Sequence, residues 1–262
     1  MALVVNFDWN TFFQYLWPPS ALQNPLIAHG VVITIFMAIA AQTLGVIIGL
    51  VTGLGQSSKV APVKAICQAY IVYFRGTPLL VQLSLLYFGT SAIGLYRFPD
   101  LRIGDFDFPG IVQAGILGLG VNEGSYMAEI IRAGILGIDM GQWEAARAIG
   151  MRNTQALRWI ILPQAARIIL PPLGNEFNGM IKSTTLVVNI GGIELFNAYE
   201  QINAVIFKPF ELFLAVSFYY LAMTMIWSVI QQRLERRMGR YARAASIRQP
   251  GTLRRMLSFR TR

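Results

Sequence analysis

The sequence predicts an all-α integral membrane protein of about five transmembrane helices, on three observations. Apolar residues make up 55% of the 262 positions and charged residues only 13%, against about a quarter charged in ordinary soluble domains. Between Asp8 and Lys59 no residue carries a formal charge, and 31–54 is almost wholly apolar, where roughly 20 such residues suffice to cross a bilayer core. The remaining charges alternate in sign from one connecting segment to the next, as membrane insertion requires.

The first helix is expected over about 27–55. A cleaved signal peptide would carry Lys or Arg ahead of a shorter apolar core, and neither feature is present. Further apolar runs at about 63–96, 109–135, 170–193 and 211–232 read as four more spans. Within the second, Arg75 precedes Gly76, Thr77 and Pro78, a group able to loosen helical hydrogen bonding. Five crossings put the termini on opposite sides. With the C-terminus inside, the inner segments are the loop with Lys59 and Lys64, the long loop at 137–167 and the tail, all net positive. The outer segments carry Asp8; then Arg97, Asp100, Arg102, Asp105 and Asp107; then Glu194, Glu200, Lys208 and Glu211, all net negative. Four or six spans would break this positive-inside alternation. The chain thus divides into an extracytoplasmic segment (1–25), a membrane domain (26–232) and a basic cytosolic tail (233–262).

Several function classes fall away on composition. Cys67 is the only cysteine and His29 the only histidine, so an intrachain disulfide, a Cys-based metal site and a His cluster are excluded, and a Ser-His-Asp triad has little to build on. The formal net charge of +9 comes from the tail: from Arg233 onward there are ten Arg and one Glu, and everything before is balanced. A basic tail directly after an apolar helix reads as an anchor against anionic lipid. No aromatic residues are interleaved with it at stacking intervals, so nucleic acid is not the expected partner.

The inner loop is the most informative segment. In 141–172, GQWEAARAIGMRNTQALRWIILPQAARIILPP, Glu144, Ala145, Ala146, Arg147 and Ala148 are strong helix formers whose charges do not suit hydrocarbon, so a short amphipathic helix outside the membrane is predicted, with Glu144 near its start. Gly150 ends it. A second helical run at about 153–161 is expected to break at Pro163 before the chain re-enters lipid. Glu144, Ala145, Ala146, Gly150, Ile160, Leu162 and Pro163 match, position by position, the E-A-A-x3-G-x9-I-x-L-P pattern of binding-protein-dependent ABC permeases. Around it, FRGTPLLVQLSLLYFG from Phe74, EGSYMAEIIRAGIL from Glu123, LPPLGNEF from Leu170 and IKSTTLV from Ile181 resemble the polar amino-acid branch of that superfamily.

This resemblance covers roughly 26–235. It implies a type I ABC importer (MetI-like) permease fold in the bacterial cytoplasmic membrane, and a subunit that is not an enzyme and binds no cofactor. ATP and Mg would sit on a separate ATPase. The implied partners are a second permease subunit, identical or homologous, two cytosolic ABC ATPases docked on the seven matched residues, and a periplasmic or lipid-anchored amino-acid-binding protein. The loop helix lying on the inner leaflet is the competing reading. No G-x4-G-K-[ST] phosphate loop occurs in the chain.

Ionisable residues at membrane depth are functional candidates, because an unpaired charge in lipid costs at least about 2.5 kcal/mol. Counting about 1.5 Å per residue, Glu123 lies some 20 Å along the third helix and Lys182, from a start near Pro172, about 15 Å along the fourth. Arg75, Thr77, Glu123, Tyr126, Glu129, Lys182, Ser183 and Thr184 are the pathway candidates. Glu123 and Lys182 would meet the amino group and carboxylate of a zwitterion, or else neutralise each other, as Glu129 and Arg132 would. The Gly118, Gly120 and Gly124 run is expected to serve close helix packing. A secondary transporter would show inverted repeats and more spans; an intramembrane enzyme would need a catalytic set absent from this sequence.

Overall fold

The computed structural model describes residues 7–103 and 106–247. The tail beyond 247 and Asp105, both used in the charge argument above, lie outside them.

Among the described residues the regular structure is helical apart from one antiparallel pair of short strands. Helix α1 (Trp9–Leu16) is capped by Asp8, whose carboxylate accepts from the Asn10 and Thr11 amides. Helix α2 (Pro25–Gln56) begins with the Asn24 cap and a proline in its first turn, where a missing N–H costs nothing. Its 32 residues extend about 48 Å, enough to cross a bilayer. Helices α3 (Ala61–Gly76) and α4 (Leu79–Ser84) follow, the latter continuing through a π-helical turn Leu85–Gly89 and a last turn Thr90–Ala92. Strands β1 (Leu101–Ile103) and β2 (Phe106–Phe108) pair antiparallel, with Leu101 opposite Phe108. Helix α5 (Gly110–Leu136) returns through the bundle, its first amide held by Asp100 Oδ1 at 2.8 Å. Next come α6 (Met140–Ala148), a turn Asn153–Ala156, a π-helical segment Leu157–Ile161, α7 (Leu162–Ser183), a 3-10 segment Thr184–Ile190, α8 (Leu195–Ile206) and α9 (Pro209–Ile247).

By length and composition, Pro25–Gln56 and Pro209–Arg237 each suffice to cross a membrane; α3 and the α4 segment pass the same test only when taken together as one span, and they are bent by 107° at the break between them. That bend corrects the single run expected at 63–96. Pro78 has no N–H and steers Thr77 out of the helical region, to φ −118° and ψ 148°. Gln82 repairs the break by donating from Nε2 to the Phe74 carbonyl, the Thr77 carbonyl and Thr77 Oγ1 at 2.8–3.0 Å.

The fourth span is also corrected. Pro163 does not break the chain: it occupies the first turn of α7, and the wide π winding just before it absorbs the disruption. The helix therefore starts at Leu162 rather than near Pro172, and Pro171 and Pro172 lie inside it. Nor does a helix end at residue 233, because α9 runs through Arg233 without interruption.

Helices α2 and α5 form the centre, and small residues set their distance. A Cβ on Gly49 would run into Met127, one on Gly53 would stand 2.8 Å from the Ala128 carbonyl, and one on Gly45 would stand 2.5 Å from Glu123 Cγ. From the facing side, Gly120 and Gly124 lie against Leu44 and Ile48, while Gly118 meets Leu83. Three glycines at four-residue spacing give α2 one bare side, so backbone packs directly on backbone. A second core gathers Phe12, Ile27, Leu195, Tyr199 and Leu212, which seats α1 and α8 against α9.

Candidate functional site: a polar cavity at a broken helix

A cavity of about 220 Å³ opens beside the α3–α4 corner, lined by Thr77, Asn122, Glu123, Tyr126, Glu176 and Ser183, with Leu79, Leu119, Gly179 and Met180 as its apolar and backbone walls. This is below the roughly 300 Å³ at which sites for drug-sized ligands begin, so it suits a small polar solute. Three elements build it. The corner supplies Thr77, held by its bond to the Tyr73 carbonyl at 2.8 Å. Helix α5 supplies Asn122, Glu123 and Tyr126 from adjacent turns. Helix α7 supplies Glu176, Gly179 and Ser183, which share a face at i, i+3 and i+7.

Glu123 is 6% exposed, and its Oε1 accepts a 3.0 Å hydrogen bond from Gln42 Nε2 of α2. Asn122 donates to the Phe74 carbonyl at 3.0 Å and to Gln82 Oε1 at 2.9 Å, tying α5 to the broken corner. Glu176 brings a second carboxylate to the same space, within electrostatic reach of Glu123 and of Arg75. Arg75 stands over the Tyr126 ring, 5.2 Å from its centroid. Among the described residues no Lys or Arg lines the cavity itself. Two carboxylates with amide and hydroxyl groups around them are chemically suited to a cationic group, and Arg75 over the Tyr126 ring adds a cation beside the lining.

The inner loop is organised around α6. Asp139, not Glu144, caps it, accepting from the Gly141 amide at 2.6 Å; Glu144 is the fifth helical residue, past the first turn. Ala146 is 1% exposed, and Trp143 packs with Ile160 on Ile138, Ile161 and Ala165. Glu144 and Ala145 therefore face outward on a helix whose other side is fixed to the bundle. Gly150 has φ +81° and open space where a Cβ would stand. A left-handed backbone there turns the chain from α6 towards α7, which is why the position needs glycine.

Residues 45–240 match the family model described as the binding-protein-dependent transport system inner membrane component, and that range takes in both the cavity and the α6 loop. The chain belongs to this family. Among relatives of the permease, the probable amino-acid permease protein YxeN of Bacillus subtilis is 38% identical over 82% of this chain and 92% of its own. The glutamine transport system permease protein GlnP of Escherichia coli is 35% identical over 89% and 99%, and the L-cystine transport system permease protein TcyB of Bacillus subtilis 35% over 92% and 95%. A crystal structure described as an amino acid ABC transporter with histidines superposes with a TM-score of 0.72 at 38% identity, covering 84% of this chain and 97% of the other. An inward-facing form of the MetNI methionine ABC transporter, at a TM-score of 0.67 and 19% identity over 82% and 97%, shares the fold. The permease is accordingly a helical, multi-pass membrane protein with an ABC importer permease fold.

Of the pathway candidates named from the sequence, the permease brings Thr77, Glu123, Tyr126 and Ser183 to the cavity, with Arg75 behind Tyr126. The other three lie elsewhere. Glu129 is held by Arg132 at 3.1 Å and Gln56 at 3.4 Å. Thr184 is buried, its hydroxyl donating to the Ile181 carbonyl at 2.9 Å. Lys182 is exposed and outside the lining. With α7 starting at Leu162, Lys182 lies about 30 Å along the helix, at its far end, and Glu176 about 21 Å along, roughly two-thirds of the way. Of the two roles weighed for Glu123 and Lys182, mutual neutralisation is not seen: Glu123 is bonded instead to Gln42. Sequence reasoning missed Gln42, Asn122 and Glu176. Glu176 was detectable, since Glu176, Gly179 and Ser183 recur on one helical face, but the helix start placed at Pro172 put Glu176 too close to the surface.

Proposed function

We propose that this chain is the pathway-forming permease subunit of an ATP-driven importer for polar amino acids, with a preference for substrates carrying a cationic group. The observation that carries the reading is the meeting of Glu123 and Glu176 in one small cavity beside a broken helix. Non-helical backbone at membrane depth is tolerated where it lines a polar cavity, and a buried carboxylate pair is a natural receiver for an ammonium group. The α-carboxylate of the substrate would be met by Arg75, displaced from the Tyr126 ring. The amino-acid permeases among its relatives support this substrate class.

In this reading the chain crosses the membrane five times, with its N-terminus outside and its C-terminus in the cytosol. Glu144, Ala145, Ala146, Gly150, Ile160, Leu162 and Pro163 dock a cytosolic ATPase, which holds ATP and Mg, so the permease itself is not an enzyme. A second permease subunit, a second ATPase and an extracytoplasmic amino-acid-binding protein complete the importer. The outward side of α6, fixed from behind by Ala146 and Trp143, supports the docking role.

The test is uptake by the reconstituted permease with its co-expressed ATPase. ATP-dependent accumulation of basic and neutral polar amino acids, with Arg and Lys taken up more tightly than their neutral isosteres, is expected; uptake independent of ATP would overturn the reading. In a background with Cys67 replaced by Ser, Ile103→Cys should label with an impermeant reagent from outside and Gln142→Cys only after the membrane is opened. Labelling of position 142 from outside would sink the five-span arrangement.

A further inference from the structure

Between Trp227 and Gln231, helix α9 turns a row of polar contacts towards α7. Trp227 Nε1 donates to the Gly174 carbonyl at 2.7 Å, Ser228 Oγ accepts from Asn178 at 3.2 Å, and Gln231 Nε2 reaches the Pro171 carbonyl at 3.2 Å and Glu235 Oε1 at 2.9 Å. At i, i+1, i+4 and i+8 these residues mark the face turned towards α7. The opposite face is bare and apolar: Met225, Ile226 and Val229 are 59%, 62% and 47% exposed. Steps of three and four residues carry that same face from Val229 to Arg233, Arg236 and Arg237, all exposed, and along the helix backbone to positions 240 and 243, also arginine. The apolar stripe turns basic within one helical turn, without changing side.

We infer that Arg233, Arg236 and Arg237 form a binding site for the phosphate headgroups of anionic phospholipids. The inference rests on the proposed orientation, with the C-terminal end of α9 in the cytosol. A face that meets acyl chains along the span meets headgroups immediately below it, and this is where the arginines begin. The three span about 6 Å along the helix axis, close to the roughly 5–7 Å of headgroup layer on each side of the bilayer core. Guanidinium groups bind phosphate oxygens in a bidentate fork, which a scattered positive-inside charge does not require. Glu235, the one acidic residue after Arg233 in the sequence, lies on the α7 side and accepts from Gln231. A second copy of the chain seated on this face about a twofold axis would set arginine against arginine.

The experiment compares the intact complex and its R233Q/R236Q/R237Q variant, purified from vesicles of phosphatidylcholine mixed with phosphatidylglycerol, by native mass spectrometry of retained lipid. The wild-type complex should retain phosphatidylglycerol over phosphatidylcholine, and the variant should lose roughly tenfold or more of that preference. A K59Q/K64Q control, which removes inner-side charges away from α9, should keep it. An unchanged preference in the arginine variant overturns the site, as does loss of permease–permease pairing with the lipid count unmoved, which would make the face a subunit contact. If the triple variant does not assemble, the three single variants are counted in the same way, and a preference unmoved in all three equally overturns it. Labelling of Gln142→Cys in the same vesicles reads the orientation separately, so a reversed topology is distinguished from a stripe that does not select lipid.

Discussion

Glu123 of α5 and Gln42 of α2 are hydrogen-bonded at 3.0 Å in the interior of the bundle, both almost wholly buried. Gln42 satisfies one carboxylate oxygen of Glu123 while that residue also lines the cavity, so under the proposed function a single residue would serve packing on one side and substrate on the other.

These two roles separate by mutation. Glu123→Gln keeps the shape and removes the charge; uptake of a cationic amino acid should weaken about 10- to 150-fold, as expected for loss of an ion contact of about 1.5–3 kcal/mol, with little change in thermal stability. Gln42→Leu leaves the carboxylate without its donor and should lower stability by about 1–3 kcal/mol. Lys182→Met should act additively with Glu123→Gln, because the two side chains do not meet. Rescue of Glu123→Gln uptake by Lys182→Met would restore the discarded ion pair.

Glycines in the bundle divide into two kinds. Gly49→Val drives a side chain into Met127 and should cost about 1–3 kcal/mol or prevent assembly. Gly179 has nothing within 4 Å of an added Cβ and lines the cavity. Gly179→Val should leave the melting temperature within a few degrees of wild type and reduce uptake by tenfold or more. A stable variant with full uptake would show that substrate does not occupy this space.

For the α6 loop, Gly150→Val forces a β-branched residue to φ +81°, a strain of about 1–3 kcal/mol paid in local loop geometry. Glu144→Lys reverses an outward charge without touching the bundle. Both should leave the permease inserted while reducing ATPase co-purification and substrate-stimulated hydrolysis together. Full ATPase capture with normal hydrolysis in both variants would remove the docking role.

At the N-terminal end of the described residues, Asp8 joins α1 to α9. Its carboxylate accepts from Thr11 Oγ1 at 2.7 Å and Lys208 Nζ at 3.0 Å, and its amide donates to Glu211 at 2.9 Å. The hydroxyl of Thr11, then Lys208, hold the carboxyl well below the usual carboxylate range. A lowered pKa in the folded state means that the stabilisation is complete above the unfolded value of about 4 and is lost only as pH falls below it. Amide exchange in α1 should therefore be flat from neutral pH down to about pH 5 after correction for intrinsic rates, and Asp8→Asn should accelerate it at neutral pH. Equal protection in the variant would assign the anchoring of α1 to Phe12 and its apolar neighbours alone.

The sequence by itself determined the class of the molecule and the motif of its α6 loop. Lipid rewards long uncharged runs, positive segments stay on one side, and the spacing from Glu144 to Pro163 is short-range and linear, so each is readable one residue at a time. What only the tertiary structure decided is which groups meet. Pro78 was visible, but the 107° bend and its repair by Gln82 depend on a side chain from the following helix. Pro163 looked like a break because the π winding that accommodates it leaves no mark in composition, and that one misplaced helix start moved Lys182 to the middle and Glu176 to the edge. The partner of Glu123 was fixed by glycines on α2 that let two backbones approach until Gln42 reached it. Depth along a helix can be counted from a sequence once its start is known; the facing residue on the neighbouring helix depends on rotation and register, which packing sets between segments far apart in the chain.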